Sequence, residues 1–231
     1  MPCYNAQEVI VDVIKEWSHA ANTCKGVLVV INDGSNDETL NIIKDNLHLF
    51  PNIYLINKKN SGHGSTCLQG YKWSIKERFE WIFQTDSDGQ TNSKEFLNIW
   101  EYRKSHDFIF GFRKARGDGY IRLVISKILK IVIYIIFNTM VKDSNVPFRL
   151  MKSKPLSKIL SRINYDLFLT NAYIAALINH DYKIKWVPIT FKIRTGGIPS
   201  VKISQFFFVG IKVIKEFWFL KNNFRKKNNN S

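Results

Sequence analysis

The sequence predicts an α/β fold in which a mostly parallel central sheet is covered by helices on both faces. Three observations support this prediction: short β-branched runs recur along the first half of the chain, helix-like segments separate them, and a polar, glycine-containing cluster follows each of three runs. Strands that alternate with helices of this length form parallel sheets, because each connection must return the chain to the starting edge.

The predicted strands occupy residues 26–32, 52–57, 81–86 and 107–111. After the first strand, Ser35 and Glu38 have the spacing of a capping box, which predicts that an amphipathic helix opens there. Further helices are predicted over residues 65–79 and near 93–104. These elements alternate as a doubly covered sheet requires.

Composition limits the class of protein. The chain has 231 residues and a formal charge of +15, which favours one large core and a polyanionic partner: nucleic acid, an anionic membrane surface or a phosphate-bearing small molecule. Its three cysteines lack metal-ligand spacing, so a disulfide framework and a zinc site are not expected. No basic segment followed by an apolar run opens the sequence, and we expect a reducing, cytosolic setting.

Polar clusters end three successive predicted strands: "NDGSND" (32–37), "NKKNSGHG" (57–64) and "TDSDGQ" (85–90). Ligands of parallel α/β sheets bind beyond the carboxyl ends of the strands, so the clusters should converge on one crevice. Asn, Asp and Gly are also ordinary turn residues, and that alternative stays open for each cluster. The glycine spacing matches neither the dinucleotide fingerprint nor the P-loop, which argues against a Rossmann oxidoreductase and a P-loop NTPase.

The third cluster suggests a metal site. Asp86, Asp88 and Gln90 follow a hydrophobic strand and supply hard oxygen ligands, which suit Mg²⁺ or Mn²⁺ rather than zinc. Such a site could hold a metal-bound diphosphate, for example that of a nucleotide whose leaving group the cation stabilises. The alternative is a solvated turn made by the aspartates.

The ordered set of motifs resembles the family 2 glycosyltransferases of GT-A fold, particularly the bacterial branch related to dolichyl-phosphate mannose synthase. The matching segments are "PCYN" (2–5), "NDGSND" (32–37), "NSGHGSTCLQGY" (60–71), "QTDSDGQ" (84–90), "GFRKARGDGYIR" (111–122) and "DSNVPFRLM" (143–151). The resemblance implies inverting transfer of a sugar from a UDP-, GDP- or dTDP-sugar with Mg²⁺ or Mn²⁺, to a lipid-linked acceptor or a growing glycan.

The resemblance also implies site residues. The nucleotide-binding set is Pro2, Tyr4, Asn5, Asp33, Gly34, Ser35, Gly62, Gly64 and Asp86, and the metal-binding set is Asp86, Asp88 and Gln90. Asp143 looks like the candidate base, and Arg113 and Arg149 look like cations for a diphosphate or an acceptor phosphate; with Asp86 these are the expected catalytic residues. Either arginine could instead be a surface charge.

Two positions depart from the family pattern. Asn32 replaces the first member of an acidic pair, which leaves Asp33 to contact the nucleotide alone. The family also has a buried strand before its P-x-Y-N element, whereas here Met1 directly precedes Pro2, so we expect that strand to be missing. A lost inner strand would leave unpaired ladder groups on its neighbours.

Two apolar segments predict membrane attachment. Residues 121–141 are interrupted by a helical stripe of Ser126, Lys127, Lys130, Tyr134 and Asn138, and residues 204–227 mix aromatic residues with lysine and arginine. Amphipathic helices lying in the interface explain both better than membrane spans do, although burial in the core remains an alternative. We therefore expect a glycosyltransferase domain over 1–200, a membrane-associating helix and basic tail over 201–231, and a monotopic protein on the cytoplasmic face.

Two other classes of protein compete with this interpretation. A nucleic-acid-binding module would explain the charge, but the sequence lacks a basic helix, an RNP-like aromatic pair or a zinc finger, and no nucleic-acid partner is expected. A membrane-associated scaffold that keeps the fold without turnover would be consistent with a missing first strand.

Overall fold

The computed structural model describes residues 1–113, 120–163 and 169–192, and in this part of the chain the strands form two sheets rather than one. In chain order the strands are β1 (Pro2–Cys3), β2 (Leu28–Asp33), β3 (Ile53–Lys58), β4 (Trp81–Thr85), β5 (Phe108–Arg113), β6 (Phe148–Lys152) and β7 (Lys185–Ile189). The first sheet has the order β1-β2-β3, and the second has the order β4-β6-β5-β7.

The two sheets differ in strand direction. All pairs in the first sheet are parallel, as the sequence predicts. In the second sheet β6 runs antiparallel to both β4 and β5, whereas β7 is parallel to β5. The fold class is confirmed, with the difference that an antiparallel strand, which the sequence pattern did not predict, is inserted at the centre of the second sheet.

Helices cover both faces of the sheets. They are α1 (Ile10–Asn22), α2 (Thr39–Asn46), α3 (His63–Lys76), α4 (Phe96–Glu101), α5 (Tyr120–Phe137), α6 (Ser153–Leu160) and α7 (Thr170–Asp181). Buried residues of α1, α2 and α4 belong to one hydrophobic cluster, and those of α3, α5, α6 and α7 belong to another. Helix α1 shows the cause, since its buried residues Ile10, Val13, Ile14 and Trp17 recur at the spacing of one helical face.

The capping box predicted at Ser35 and Glu38 is wrong. Helix α2 begins at Thr39, and no side chain caps its N-terminus at Glu38. Ser35 Oγ instead donates to Asn32 Oδ1 at 2.6 Å and accepts from the Asn5 amide at 3.0 Å. The hydroxyl therefore stabilises the loop at the end of β2 rather than the helix.

No strand precedes the P-x-Y-N element in the described residues, as the sequence predicts, but the first two residues of that element form the short strand β1 beside β2. Pro2 and Cys3 pair in parallel with Ile31 and Asn32, and the amino group of Met1 donates to the carbonyl of Val29 at 2.8 Å. This position fixes the P-x-Y-N loop at the carboxyl end of β2. Two residues are nevertheless too few to cover the full edge of β2.

A cavity of about 470 Å³ separates the two sheets. Its lining includes Leu28 and Val29 of β2, Trp81 and Phe83 of β4, and Trp17 of α1. We call this cavity the sheet gap. It lies alongside Leu28 and Val29, the part of the β2 edge that the short β1 leaves uncovered.

Helix α5 has a mixed surface. Ile133, Ile136 and Phe137 are buried, as the core alternative requires, but Ile128, Ile131 and Ile135 are 52%, 58% and 68% exposed. The exposed part of the helix therefore carries apolar side chains beside members of the predicted polar stripe, of which Lys127, Tyr134 and Asn138 are exposed. Within the described residues no helix has both the length and the hydropathy needed to cross a bilayer. The second apolar segment, 204–227, and the proposed boundary at 200 lie outside the described residues.

Candidate active site

The loops that follow β2, β3 and β4 meet at one edge of the molecule. The carboxylate of Asp33, at the end of β2, accepts hydrogen bonds from the amides of Ser61 and Gly62, both at 2.9 Å, and pairs with Lys58. The next residue, His63, places Nε2 3.0 Å from Oδ1 of Asp86. A continuous series of contacts thus joins the three polar clusters across the strand ends.

A glycine permits the first of these contacts. Gly34 has φ of +64°, and a Cβ at this position would lie 2.7 Å from the backbone nitrogen of Asn60. A side chain would therefore push the β3–α3 loop away from Asp33. Gly62, at φ +89°, lies at the end of the same loop and makes the turn into α3.

The P-x-Y-N loop docks on the β2 loop. The amide of Asn36 donates to Asn5 Oδ1 at 2.9 Å, and Asn36 Nδ2 donates to the hydroxyl of Tyr4 at 3.2 Å. Asn5 adopts φ of +48°, which turns its side chain toward this contact. Asn32, which stands where the family has an acid, donates to Asn57 Oδ1 at 2.8 Å. The loops of β1, β2 and β3 therefore form one connected rim.

Asp86 is held by its neighbours rather than by solvent. Burial raises the pKa of the Asp86 carboxyl, but the charge and hydrogen bond of His63 outweigh it, and the pKa is lowered overall. In return, Cys67 and then Asp86 raise the pKa of His63 well above its ordinary value. The carboxylate and the imidazolium are thus the favoured forms of the pair.

Asp88 and Gln90 form the turn that the sequence left as an alternative to a metal site. Asp88 Oδ1 accepts from the Gln90 amide at 3.1 Å, and Gly89 has φ of +70°. Gln90 Nε2 donates to the carbonyl of Lys192 at 3.0 Å. This hydrogen bond fastens the turn to the residues that follow β7. The Asp88 carboxylate therefore lies on a fixed turn, two residues after Asp86.

The donor set suits a cation that brings its own ligands. Among the described residues no three His, Cys, Asp or Glu side chains are grouped as a complete metal cage. Mg²⁺ characteristically uses only one or two carboxylates together with water and substrate phosphates. The two carboxylates and the amide oxygen of Gln90 therefore fit a divalent cation that arrives with a diphosphate.

Arg113 and Asp143 are brought together. Nε and Nη2 of Arg113 donate to the two carboxylate oxygens of Asp143 at 2.8 and 2.9 Å. The side chain of Asp143 is 2% exposed and that of Arg113 is 12% exposed. Arg113 also stacks 4.8 Å from the ring centre of Phe191. The candidate base is therefore held by a guanidinium on both oxygens.

Arg149 lies in the interior, where it contacts the backbone of Ser144, the residue after Asp143. It is fully buried, and its guanidinium donates to the carbonyls of Val146, Asn171 and Ser144 at 2.8, 2.7 and 2.9 Å. Burial lowers the pKa of Arg149. The surface alternative is excluded for this residue because its guanidinium is buried on backbone carbonyls, and its contact with a phosphate stays a prediction.

His63 and Lys58 are site residues that sequence reasoning did not assign. His63 received no role because a histidine in a polar loop is not informative by itself. The available signal was its position, one residue beyond the turn glycine and opposite the acidic end of the next strand. Lys58 ends β3 and pairs with Asp33 at the end of β2, so strand register would have identified it.

Sheets covered by helices on both faces, with acidic loops at the carboxyl ends of the strands, are characteristic of nucleotide-binding α/β proteins. The model of Glycosyl transferase family 2 matches residues 1–160. The chain belongs to this family and is a glycosyltransferase.

The names of similar proteins are consistent with membership of this family. A polyprenol monophosphomannose synthase of Mycolicibacterium smegmatis is 24% identical over 217 residues, covering 89% of this chain and 80% of that protein. A dolichyl-phosphate beta-glucosyltransferase of Trichomonas vaginalis is 35% identical over 79 residues, 34% of this chain and 23% of that protein.

Solved structures agree with the fold. Glucosyl-3-phosphoglycerate synthase from Mycobacterium tuberculosis, in complex with Mn²⁺ and UDP-glucose, superposes with a TM-score of 0.68 at 14% identity, covering 94% of this chain and 76% of that one. TarS from S. aureus superposes with a TM-score of 0.57 at 13% identity, covering 98% and 90%. The GT-A fold predicted from the sequence is confirmed.

Proposed function

We propose that this chain transfers a sugar from a nucleoside diphosphate sugar to a polyprenyl phosphate, with inversion, at the cytoplasmic face of a membrane. The observation that carries the proposal is the connected site at the strand ends, where Asp33, the β3–α3 loop and Asp86 contact one another in sequence. The similarity to a polyprenol monophosphomannose synthase along most of the chain supports the acceptor class.

The contacts support a donor site at the strand ends. In this proposal Asp33 and the rim formed by Tyr4 and Asn5 contact the nucleoside, and the loop through Gly62 covers it. Asp86, Asp88 and Gln90 would hold Mg²⁺ or Mn²⁺ beside the diphosphate. When bound, the cation neutralises charge that develops on the leaving diphosphate. UDP, GDP and dTDP all offer this diphosphate chemistry.

The Arg113–Asp143 ion pair favours a phosphate acceptor. A hydroxyl acceptor needs a base to remove its proton, and a carboxylate already engaged on both oxygens by a guanidinium is a weak proton acceptor. A polyprenyl phosphate arrives anionic and needs no base. Its oxygen bonds to the anomeric carbon while the bond from that carbon to the diphosphate breaks on the opposite side, which inverts the configuration.

The exposed face of α5 supports membrane attachment. Ile128, Ile131 and Ile135 are exposed beside Lys127, and Met140 just beyond the helix is 78% exposed. Apolar side chains flanked by lysine lie favourably at the boundary of anionic lipids. A peripheral attachment through this face would bring the crevice to a lipid-borne acceptor.

The test is cation-dependent transfer. Wild-type chain, Asp88→Asn and the matched surface control Asp45→Asn are assayed with labelled nucleotide sugars and polyprenyl phosphate in vesicles, with Mn²⁺ or with EDTA. We expect transfer by wild type and Asp45→Asn, none with EDTA, and a loss of about 10²-fold or more in Asp88→Asn. Equal transfer by Asp88→Asn would contradict the metal assignment.

Two further outcomes separate the alternatives. Transfer only to a glycan hydroxyl would replace the lipid phosphate as acceptor. Cation-dependent nucleotide binding without transfer to any acceptor would indicate a scaffold that keeps the fold without turnover.

A further inference from the structure

We propose that His63 is a positioning residue for Asp86: it holds one oxygen of the carboxylate, which directs the other oxygen to the nucleotide and leaves Asp88 as the principal cation ligand. The inference rests on the proposed function, because it assigns work within the same site. It concerns a residue to which neither the motifs nor the family match gives a role.

The contact itself is well placed for this work. His63 Nε2 lies 3.0 Å from Oδ1 of Asp86, and the two side chains are 45% and 25% exposed. A hydrogen bond that is partly shielded from water is stronger than one on the open surface, where water competes for both partners. One oxygen of Asp86 is therefore committed to the protein before any ligand binds.

A second contact holds the imidazole ring of His63. Cys67 lies one helical turn beyond His63 in α3, and its Sγ is 3.8 Å from Nδ1 and 3.9 Å from Nε2 of the ring. Cys67 is buried in the core cluster that includes Tyr71 and Leu68. The imidazole thus contacts both a buried thiol and the carboxylate, and the two contacts restrict its rotation.

Helix stability does not explain why a histidine occupies this position. His63 is the first residue of α3, and no side-chain hydrogen bond caps this end of the helix. The Nε2 atom of His63 lies against Asp86 instead. The contact therefore serves the Asp86 carboxylate rather than the N-terminus of α3.

The position of His63 also couples two walls of the site. The preceding residue, Gly62, donates to Asp33, while His63 itself contacts Asp86. Two adjacent residues thus connect Asp33, which is proposed to contact the nucleoside, to Asp86, which is proposed to contact the cation and the nucleotide. Outer partners of metal-site carboxylates typically change metal affinity or activity by about 10- to 100-fold when they are removed.

The experiment compares His63→Leu, which removes the donor, with His63→Gln, whose amide donates at a similar reach. His48→Leu, an exposed histidine on the short turn after α2, is the matched control. Mn²⁺ binding is measured by electron paramagnetic resonance with and without UDP, GDP or dTDP, together with kcat, KM and the melting temperature.

We expect His63→Leu to weaken binding of the Mn²⁺–nucleotide complex by about 10- to 100-fold with little change in melting temperature. His63→Gln should recover most of that loss, and His48→Leu should match wild type. Wild-type affinity in His63→Leu would overturn the inference and leave the proposed function standing. A loss that tracks melting temperature and is not recovered by glutamine would make His63 structural and also overturn it. A wild-type chain that binds no cation–nucleotide complex would overturn both.

Discussion

The guanidinium of Arg113 and the carboxylate of Asp143 face each other in a two-point ion pair, with donor–acceptor distances of 2.8 and 2.9 Å. The pair joins the end of β5 to the segment before β6, two places that the chain separates by the whole of α5. Because both side chains are shielded from water, removal of either partner leaves a charge that the protein must accommodate.

Asp143→Asn should therefore lower the free energy of unfolding by about 3 kcal/mol, the scale for a broken buried pair. The control is Asp107→Asn, since Asp107 pairs with Lys152 at 3.5 Å on the surface, with side chains 48% and 38% exposed. That control should cost under about 1 kcal/mol. Urea denaturation of both variants is the measurement, and equal costs would contradict a stabilising role for the Arg113 pair.

Arg149→Met should destabilise the fold whatever the acceptor is. The substitution removes the donors of three buried carbonyls, and each unsatisfied carbonyl costs about 1 to 3 kcal/mol. Arg103→Met, at a half-buried arginine that donates to Trp100, is the comparison and should cost less. A stable Arg149→Met variant with a raised KM for polyprenyl phosphate would instead restore the phosphate contact expected from the sequence.

Exchange of Ile131 and Ile135 for glutamate should reduce binding to anionic phosphatidylglycerol vesicles by 10-fold or more. Each side chain loses an apolar contribution of about 1.5 to 3 kcal/mol, and high salt should release the wild type only partly because that contribution is not screened. Leu49→Glu, at an apolar residue 56% exposed elsewhere on the surface, is the control. Vesicle sedimentation measures the effect; unchanged binding would exclude this face of α5 from the attachment.

Alkaline pH should weaken the fold through Cys3. Burial raises the pKa of this thiol from its ordinary 9.0 to about 11. The folded protein thus keeps the proton more tightly than the unfolded chain does, so this contribution is complete below pH 9 and is lost as pH rises through about 11. Between these values wild type should lose about 1 kcal/mol per pH unit relative to Cys3→Ala. Urea titrations at pH 8, 9 and 10.5 test this, and parallel curves for the two proteins would contradict it.

Sequence alone was sufficient where one local pattern determines one element. The β-branched runs after Gly26 and after Asn52 became β2 and β3, and the clusters at their ends were brought into contact as the rule for parallel sheets requires. The burial of Arg149 was not predicted, because it depends on the carbonyls of Ser144 and Val146 before β6 and of Asn171 in α7, and the last of these is distant in sequence. No local pattern reports such partners.

The capping box failed for a related physical reason. Ser35 has a competing partner in Asn32 and another in Asn5, thirty residues away in the chain, and tertiary hydrogen bonds override a local preference of about 1 kcal/mol. The exposure of Ile131 could likewise not be predicted from the sequence. A helix that mixes lysines and isoleucines has the same sequence pattern whether its apolar residues face the core or the solvent. Only packing against α7 decides which isoleucines are covered.

The sheet gap has a consequence for how a ligand would act on stability. Asp33 belongs to the three-stranded sheet and Asp86 follows the four-stranded one, and no strand-to-strand hydrogen-bond ladder in the described residues joins the two sheets. A nucleotide that contacted both aspartates would link the two sheets. Its binding free energy would then add to the free energy of unfolding, so the melting temperature should rise with nucleotide concentration by mass action. The backbone of the described residues provides no hydrogen-bonded strand pair that would do the same.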